Sequence, residues 1–188
     1  MNINNNSSAN QLLPGQDLRV GVDLIADKKD GALIVIGSTP KLDKISSGGI
    51  ILSDCKYSPE MLSELSKMDG AIVVDESVTK ILKANVHLNP SDTIATTQTG
   101  TRHRTAERTS VVTGLTVIAV SEETSLIKVF ENLETKELEE SSAILGRVNE
   151  SLQSVDRMRR RFDDAVTTLG ELEIENTLTN QEVLEVIQ

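Results

Sequence analysis

Residues 69–74 read Asp-Gly-Ala-Ile-Val-Val and repeat the pattern of residues 30–35, Asp-Gly-Ala-Leu-Ile-Val. In each segment an Asp-Gly turn leads the chain into an apolar, β-branched run that is typical of a buried strand. A helix precedes each turn; before the first turn, Leu18, Val22 and Ile25 recur at helical spacing. Helices that alternate with strands apolar on both faces predict an α/β fold, with a mixed central β-sheet flanked by helices.

Turn and capping residues mark further elements of this layered domain. Ser58 and Pro59 are typical of a helix start, and Gly114 stands where a helix would end. From these signals and from the apolar runs we predict helices at about 59–68 and 101–113, a polar loop at 89–100, and strands at 50–52, 80–88, 116–120 and 126–130.

Composition limits the classes of function. The 188 residues include 29 acidic and 19 basic side chains, and the net charge of -10 repels nucleic acid and anionic membranes except at a local basic patch. Aromatic residues make up 2%, which leaves few rings for base stacking. Cys55 is the only cysteine, so an intramolecular disulfide is excluded. Because no apolar run approaches a membrane span, we expect a soluble, cytoplasmic protein.

Periodicity divides the chain into three segments. Residues 1–12 are polar and are expected to form a disordered tail, residues 13–138 form the α/β domain, and residues 139–188 form an α-helical spine segment. Apolar residues in the last segment fall on heptad spacings, with Arg159 at one core position. Two interpretations stay open: the stripe packs on the sheet domain, or it pairs with another helix or another chain.

Cations crowd the start of the helix predicted at 101–113. The segment reads Gly100-Thr101-Arg102-His103-Arg104-Thr105-Ala106-Glu107-Arg108. The helix dipole disfavours each cation there by roughly 0.3–1 kcal/mol. A bound anion reverses the sign of these terms, and free N–H groups, threonine hydroxyls and guanidinium groups together indicate a phosphate site. The alternative is a surface helix with solvated arginines.

Two carboxylate positions are candidates for a metal site beside such phosphates. Asp69 begins a strand, and Ser121-Glu122-Glu123 follow the strand after the basic helix. A carboxylate near a polyphosphate can hold a divalent cation, although each position could equally be a plain turn. His103 is a better functional candidate than His87, and we expect its cationic neighbours to hold it neutral.

Two spaced motifs resemble those of a known family. Asp69-Gly70-Ala71, followed by Gly100-Thr101-Arg102-His103-Arg104, is similar to the paired DGA and RHR motifs of the diadenylate cyclase domain family. The longer stretches 65–71, 84–88 and 101–108 resemble in particular its DNA integrity scanning (DisA) branch. The resemblance covers nearly the whole chain from about Leu13, and it implies the fold of the DisA N-terminal domain.

The resemblance implies a metal-dependent nucleotidyltransferase. Such an enzyme condenses two ATP into the second messenger cyclic di-AMP, releases two pyrophosphates and uses Mg²⁺ or Mn²⁺. It implies a homo-oligomer of facing dimers, an octamer, in which each active site forms between two subunits. Carried over by motif, the catalytic residues are Asp69, Arg102, His103 and Arg104, the metal ligands are Asp69 and Glu123, and the ATP contacts are Gly70, Ala71, Leu88, Gly100, Thr101, Thr105 and Ser121. The match at Glu123 is closer to the membrane-anchored branch of the family.

Proteins of the DisA branch continue into a helix-hairpin-helix domain that binds DNA, and this sequence ends at Gln188. We therefore expect cyclase activity without DNA binding and without membrane contact. A second hypothesis is a sensor or scaffold module that binds ATP or cyclic di-AMP without turnover, because the same arginine helix would serve it. A third possibility is that the chain cannot assemble without further C-terminal parts.

Overall fold

The computed structural model describes residues 10–131 and 133–174. These residues belong to two compact units, one ending at Glu140 and one beginning at Ser141. In chain order the first unit contains α1 (Asp17–Asp27), β1 (Ala32–Ile36), α2 (Pro40–Ile45), β2 (Ser46–Ser47), β3 (Ile50–Lys56), α3 (Pro59–Leu65), β4 (Ala71–Val74), β5 (Lys80–Leu88), α4 (Thr101–Thr113), β6 (Thr116–Val120), β7 (Ile127–Glu131) and β8 (Glu134–Leu138).

The strands form one mixed, eight-stranded sheet in the order β2-β5-β4-β1-β6-β7-β8, and β3 also pairs with β5. At its centre β1 runs parallel to β4 and antiparallel to β6, so that Ile34 pairs with Ile72 on one side and with Ile118 on the other. The parallel pair requires a crossover connection, which α2, β2, β3 and α3 supply. The prediction of a mixed sheet flanked by helices is confirmed.

The side chains of β1 alternate between two hydrophobic cores. Ala32, Ile34 and Ile36 pack on the face covered by α1 and α3. Leu33 and Val35 pack on the opposite face, which α2 and α4 cover. Because both faces are covered, every residue of β1 is buried. This explains why the strand reads as a continuous apolar run instead of an alternating one.

Three short elements were not predicted: α2, β2 and β8. The signal for α2 was present, since Thr39 accepts a hydrogen bond from the Leu42 amide at 3.3 Å and Pro40 follows it. This is the same cap that Ser58 and Pro59 form at α3, where the Ser58 hydroxyl accepts from the Met61 amide at 3.1 Å. In contrast, β8 is a largely exposed edge strand of polar residues, which period-two patterning does not detect.

Three predicted boundaries were wrong. Strand β3 continues to Lys56 instead of ending at Leu52, and α3 ends at Leu65 instead of Met68, because Ser66 takes the C-cap position. Leu12 was assigned to a disordered tail, but it is only 7% exposed and packs in the core beside α1. Local polarity cannot reveal a long-range contact of this kind. The rest of the predicted tail, residues 1–9, lies outside the described residues.

The second unit contains one described helix, α5 (Ser141–Ile174), of 34 residues. The predicted apolar stripe lies along it: Leu145, Val148, Leu152, Val155, Phe162 and Val166 are between 46% and 61% exposed, and Leu169 is half-buried. The pairing of this stripe stays a prediction, and the segment 175–188 lies outside the described residues.

Candidate active site

A cleft of about 900 Å³ lies at the edge of the sheet where β1 and β4 begin and β6 ends. Its volume is near the upper end of the roughly 300–1,000 Å³ typical of small-molecule sites. Because β1 and β4 are parallel, the two Asp-Gly turns that precede them meet at this edge, and Gly31 and Gly70 both line the cleft. Each of the two Asp-Gly turns in the sequence repeat therefore contributes its glycine to the site.

Four separate segments of the chain supply most of the lining. They are the turn before β4, the end of β5, the first turns of α4 and the turn after β6. The structure brings into this one cleft the predicted residues Asp69, Gly70, Ala71, Leu88, Gly100, Thr101, Arg102, His103, Thr105, Ser121 and Glu123. Residues that are distant in sequence thus share one cavity of nucleotide size.

Arg104 is the predicted site residue that does not line the cleft. At about 100° per residue it lies roughly 200° around α4 from Arg102, and its side chain is exposed. The proposed contact of Arg104 with phosphate stays a prediction, which the lining of this cleft in a single chain does not support. The motif spacing could not reveal this, because adjacent letters of a helical motif point in different directions.

The N-terminus of α4 opens into the cleft without a side-chain cap. Gly100 occupies the N-cap position with φ of 82°, a left-handed conformation that favours glycine. No acidic residue lies in the first helical turn. The first amide N–H groups therefore keep their donors for a ligand, and the helix dipole attracts an anion to the same place.

The guanidinium group of Arg102 lies directly over Gly31. A Cβ atom placed on Gly31 would be 2.0 Å from Arg102 Nη1 and 2.4 Å from its Cζ. The nearest carboxylate oxygen, Glu122 Oε2, is 4.0 Å from Nη2, so Arg102 has only a long ion pair. Gly31 therefore leaves the space that the Arg102 guanidinium occupies.

Gly70 has a different steric environment from Gly31. A Cβ atom at Gly70 would lie 2.3 Å from the carbonyl carbon of Asn85 and 2.6 Å from the amide nitrogen of Val86. Both atoms belong to the backbone of β5, which Asn85 bends with φ of 54°. Glycine is therefore required here for strand packing, apart from any contact with a ribose.

Arg108 holds the loop 89–100 and does not line the cleft. Its Nε donates to the Ile94 carbonyl oxygen at 2.9 Å, and its Nη1 pairs with Asp92 at 2.5 Å. Glu107 accepts a hydrogen bond from the Thr96 hydroxyl. The second turn of α4 thus anchors the loop that leads into Gly100.

His103 is half-buried beside two cations. Burial, then Lys128 and Arg102, lowers the pKa of His103 below its ordinary value of 6.5. The expected direction is thus supported, although burial is the largest cause and the second cation is Lys128 instead of Arg104. A neutral imidazole can accept or donate one hydrogen bond at a ligand oxygen.

Ser121 begins a tight turn that places two carboxylates at the cleft. The Ser121 amide donates to the Leu126 carbonyl oxygen at 2.9 Å, and its hydroxyl accepts from the Thr124 amide at 3.2 Å. Glu122 and Glu123 both line the cavity that Asp69 also lines. These residues therefore serve as a turn and also face the site. Within the described residues, however, no three acidic, histidine or cysteine side chains cluster closely enough to bind a metal by themselves.

Comparison with known proteins assigns the family. Residues 19–135 match the family described as DisA bacterial checkpoint controller nucleotide-binding. The chain belongs to this diadenylate cyclase domain family. Residues 138–188 match the DisA bacterial checkpoint controller linker region, so the cyclase family match extends into the helical segment.

Curated relatives of this cyclase-family chain are DNA integrity scanning proteins DisA. The protein from Kineococcus radiotolerans is 46% identical over 94% of this chain and 49% of its own length. The protein from Clostridium kluyveri is 41% identical over 94% of this chain and 50% of its own length. The chain spans about half the length of the curated relatives it matches.

Solved structures support the cyclase fold. DacA from Staphylococcus aureus is 31% identical, with a TM-score of 0.53 over 69% of this chain and 89% of its own. A hypothetical membrane spanning protein from Bacillus cereus, at 24% identity and a TM-score of 0.57 over 65% of this chain and 62% of its own, shares the fold. In the part of this chain that the structure describes, no helix combines the length and hydrophobicity needed to cross a membrane.

Proposed function

We propose that the chain is a diadenylate cyclase that condenses two ATP into cyclic di-AMP and releases two pyrophosphates. The observation that carries the proposal is the convergence of the DGA turn, the uncapped N-terminus of α4 and the acidic turn after β6 on one cleft. The cleft combines hydrogen-bond donors for anions with carboxylates. Nucleotidyl transfer needs both, since the donors bind the phosphates and a carboxylate accepts the hydroxyl proton.

The reaction consists of the same transfer performed twice. The 3′-oxygen of one ATP attacks the α-phosphorus of the other, the bond to the pyrophosphate breaks, and the hydroxyl proton leaves to a base. Asp69 is the proposed acceptor of that proton. Arg102, the neutral His103 and the free amides of α4 orient the phosphates and offset their charge. Little covalent work falls to the protein, so positioning and electrostatics determine the rate.

Asp69 and Glu123 are the proposed ligands for Mg²⁺ or Mn²⁺. Their carboxylate oxygens are the hard donors that these ions prefer, and a magnesium ion bound through one or two carboxylates completes its shell with phosphate oxygens and water. When bound, the ion would neutralise phosphate charge.

Two copies of the chain must face each other for this chemistry. Each copy of the chain contributes one such cleft, and the ring closure needs two ATP in opposite orientations. A homo-oligomer of facing dimers, up to an octamer, satisfies this requirement. A cytoplasmic location follows from the use of ATP.

The test compares two matched variants. Purified chain is incubated with ATP and Mn²⁺ or Mg²⁺, and cyclic di-AMP is quantified by chromatography. Asp69→Asn should abolish product, while Asp30→Asn, which makes the same change in the repeated Asp-Gly turn at a residue that does not line the cleft, should retain it. If the wild type binds ATP but forms no product, the chain is a nucleotide-binding module without turnover.

Assembly has a separate measurement. If facing copies form the site, specific activity should rise with protein concentration, and light scattering should show oligomers over the same range. Activity that is independent of concentration in a monomeric sample would exclude the facing arrangement. A monomer without activity would show that this chain alone cannot assemble its site.

A further inference from the structure

A second cation, Lys128 on β7, reaches the cleft from outside the two motifs. It pairs with Ala119 of β6 in the sheet and, with Phe130, lies on the face that α4 covers. Phe130 is buried under α4, whereas Lys128, two residues earlier on the same face, lines the cleft. The same strand face therefore changes from core to site between these two residues.

Lys128 forms no ion pair among the residues that the structure describes. Its Nζ donates to the neutral Gln98 Oε1 at 3.1 Å, and no described carboxylate oxygen lies within ion-pair distance. Glu137 of β8 lies opposite Lys128 in the sheet but forms no ion pair with it, and on the cleft side Lys128 and Arg102 both lower the pKa of His103. A half-buried ammonium that lines the cleft without an ion pair can donate charge-assisted hydrogen bonds to an anion that enters.

We propose that Lys128 binds the triphosphate of the nucleotide from the β7 side, opposite the N-terminus of α4. This inference rests on the proposed function for the identity of the anion. The competing explanation is structural: through Gln98, Lys128 would only hold the loop 89–100 in place. If Lys128 binds phosphate, removal of its ammonium group weakens nucleotide binding and removal of the Gln98 amide does not. If Lys128 only holds the loop, the two removals have the same effect.

Four variants and two ligands separate the explanations. The variants are Lys128→Met, Lys128→Arg, Gln98→Leu and, as a matched control on an exposed strand position outside the cleft, Lys136→Met. The ligands are α,β-methylene-ATP, which cannot release pyrophosphate, and adenosine, which has no phosphate. Dissociation constants are measured by calorimetry at two salt concentrations, after thermal unfolding has shown that each variant folds.

Lys128→Met should weaken binding of the ATP analogue by about tenfold or more and reduce its salt dependence, because it removes one charge-assisted contact. Adenosine binding should not change. Lys128→Arg should retain most of the affinity, and Gln98→Leu and Lys136→Met should resemble the wild type.

Two results would overturn the proposal. One is unchanged analogue binding in Lys128→Met; the other is equal weakening of both ligands in Lys128→Met and Gln98→Leu, which would assign Lys128 to the loop. Failure of the cyclase proposal is distinguishable from failure of the Lys128 proposal. If the wild type binds the analogue but makes no cyclic di-AMP from ATP, the cyclase proposal fails, and the binding measurements still decide the role of Lys128. A wild type that does not bind the analogue refutes both.

Discussion

Gly31→Ala should reduce activity without destabilising the fold. The new methyl group would lie 2.0 Å from Arg102 Nη1, so the guanidinium must withdraw by about 1.4 Å to reach the 3.4 Å of an ordinary contact. The far end of an arginine side chain can make that movement. Because a 1 Å misplacement of a positioning group can cost on the order of 100-fold in rate, we expect kcat/KM for ATP to fall by roughly 10- to 100-fold, or about 1.4–2.7 kcal/mol.

Gly70→Ala is the matched control, since it makes the same change in the repeated motif. There the methyl group meets the backbone of Asn85 at 2.3 Å, which cannot withdraw without moving β5. Urea denaturation should show a loss of about 2 kcal/mol or more for Gly70→Ala, and a change within about 1 kcal/mol for Gly31→Ala.

A double-mutant cycle tests the cause of the Gly31 effect. If Gly31 acts through Arg102, then Gly31→Ala should cost nothing further in an Arg102→Ala background. Additive losses in kcat/KM would refute the reasoning, because they would show that the methyl group interferes with the ligand directly. An unchanged kcat/KM in the single variant would refute it as well.

Two further predictions concern the helix motif. Arg102→Ala should weaken ATP binding in a salt-sensitive manner. The Arg104 side chain lies outside the lining of this cleft, so Arg104→Ala should leave the affinity of a single chain for ATP within about twofold by calorimetry. Equal losses of affinity in the two variants would place Arg104 in the site. Because the pKa of His103 is lowered from 6.5, the unfolded chain takes up the proton first, and the free energy of unfolding should decline as pH falls below about 6.5. His103→Gln should flatten this part of the urea-denaturation profile, and a profile identical to the wild type would contradict the assignment.

The layered fold was predictable because both of its signals are local. Apolar runs such as 32–36 mark strands buried on both faces, and residues such as Gly114 mark helix ends. What could not be predicted follows from contacts across the chain. Leu12 packs in the core despite a polar neighbourhood, and the polar edge strand β8 depends on pairing with β7. Neither contact has a periodic signature in its own segment.

The candidate site shows the same division. The motifs predicted which residues converge, since Asp69 and the start of α4 line one cleft. They did not predict which side of α4 each residue of the motif occupies. Arg104 lies on a side of the helix that does not line the cleft. The position of Gly31 in the site could be recognised only from the strand order. Because β1 and β4 are parallel neighbours, the Asp-Gly turn before β1 lies beside the Asp-Gly turn before β4.

Lys128 illustrates why a motif search stops short of the site. By alternation along β7, Lys128 shares a face with the buried Phe130, and a lysine on a core-facing position is a conflict unless that face leaves the core. The face does leave the core, because α4 covers Phe130 and begins at Gly100, where the cleft opens. A charged residue that breaks the pattern of a buried strand therefore locates the place where packing ends and ligand binding begins.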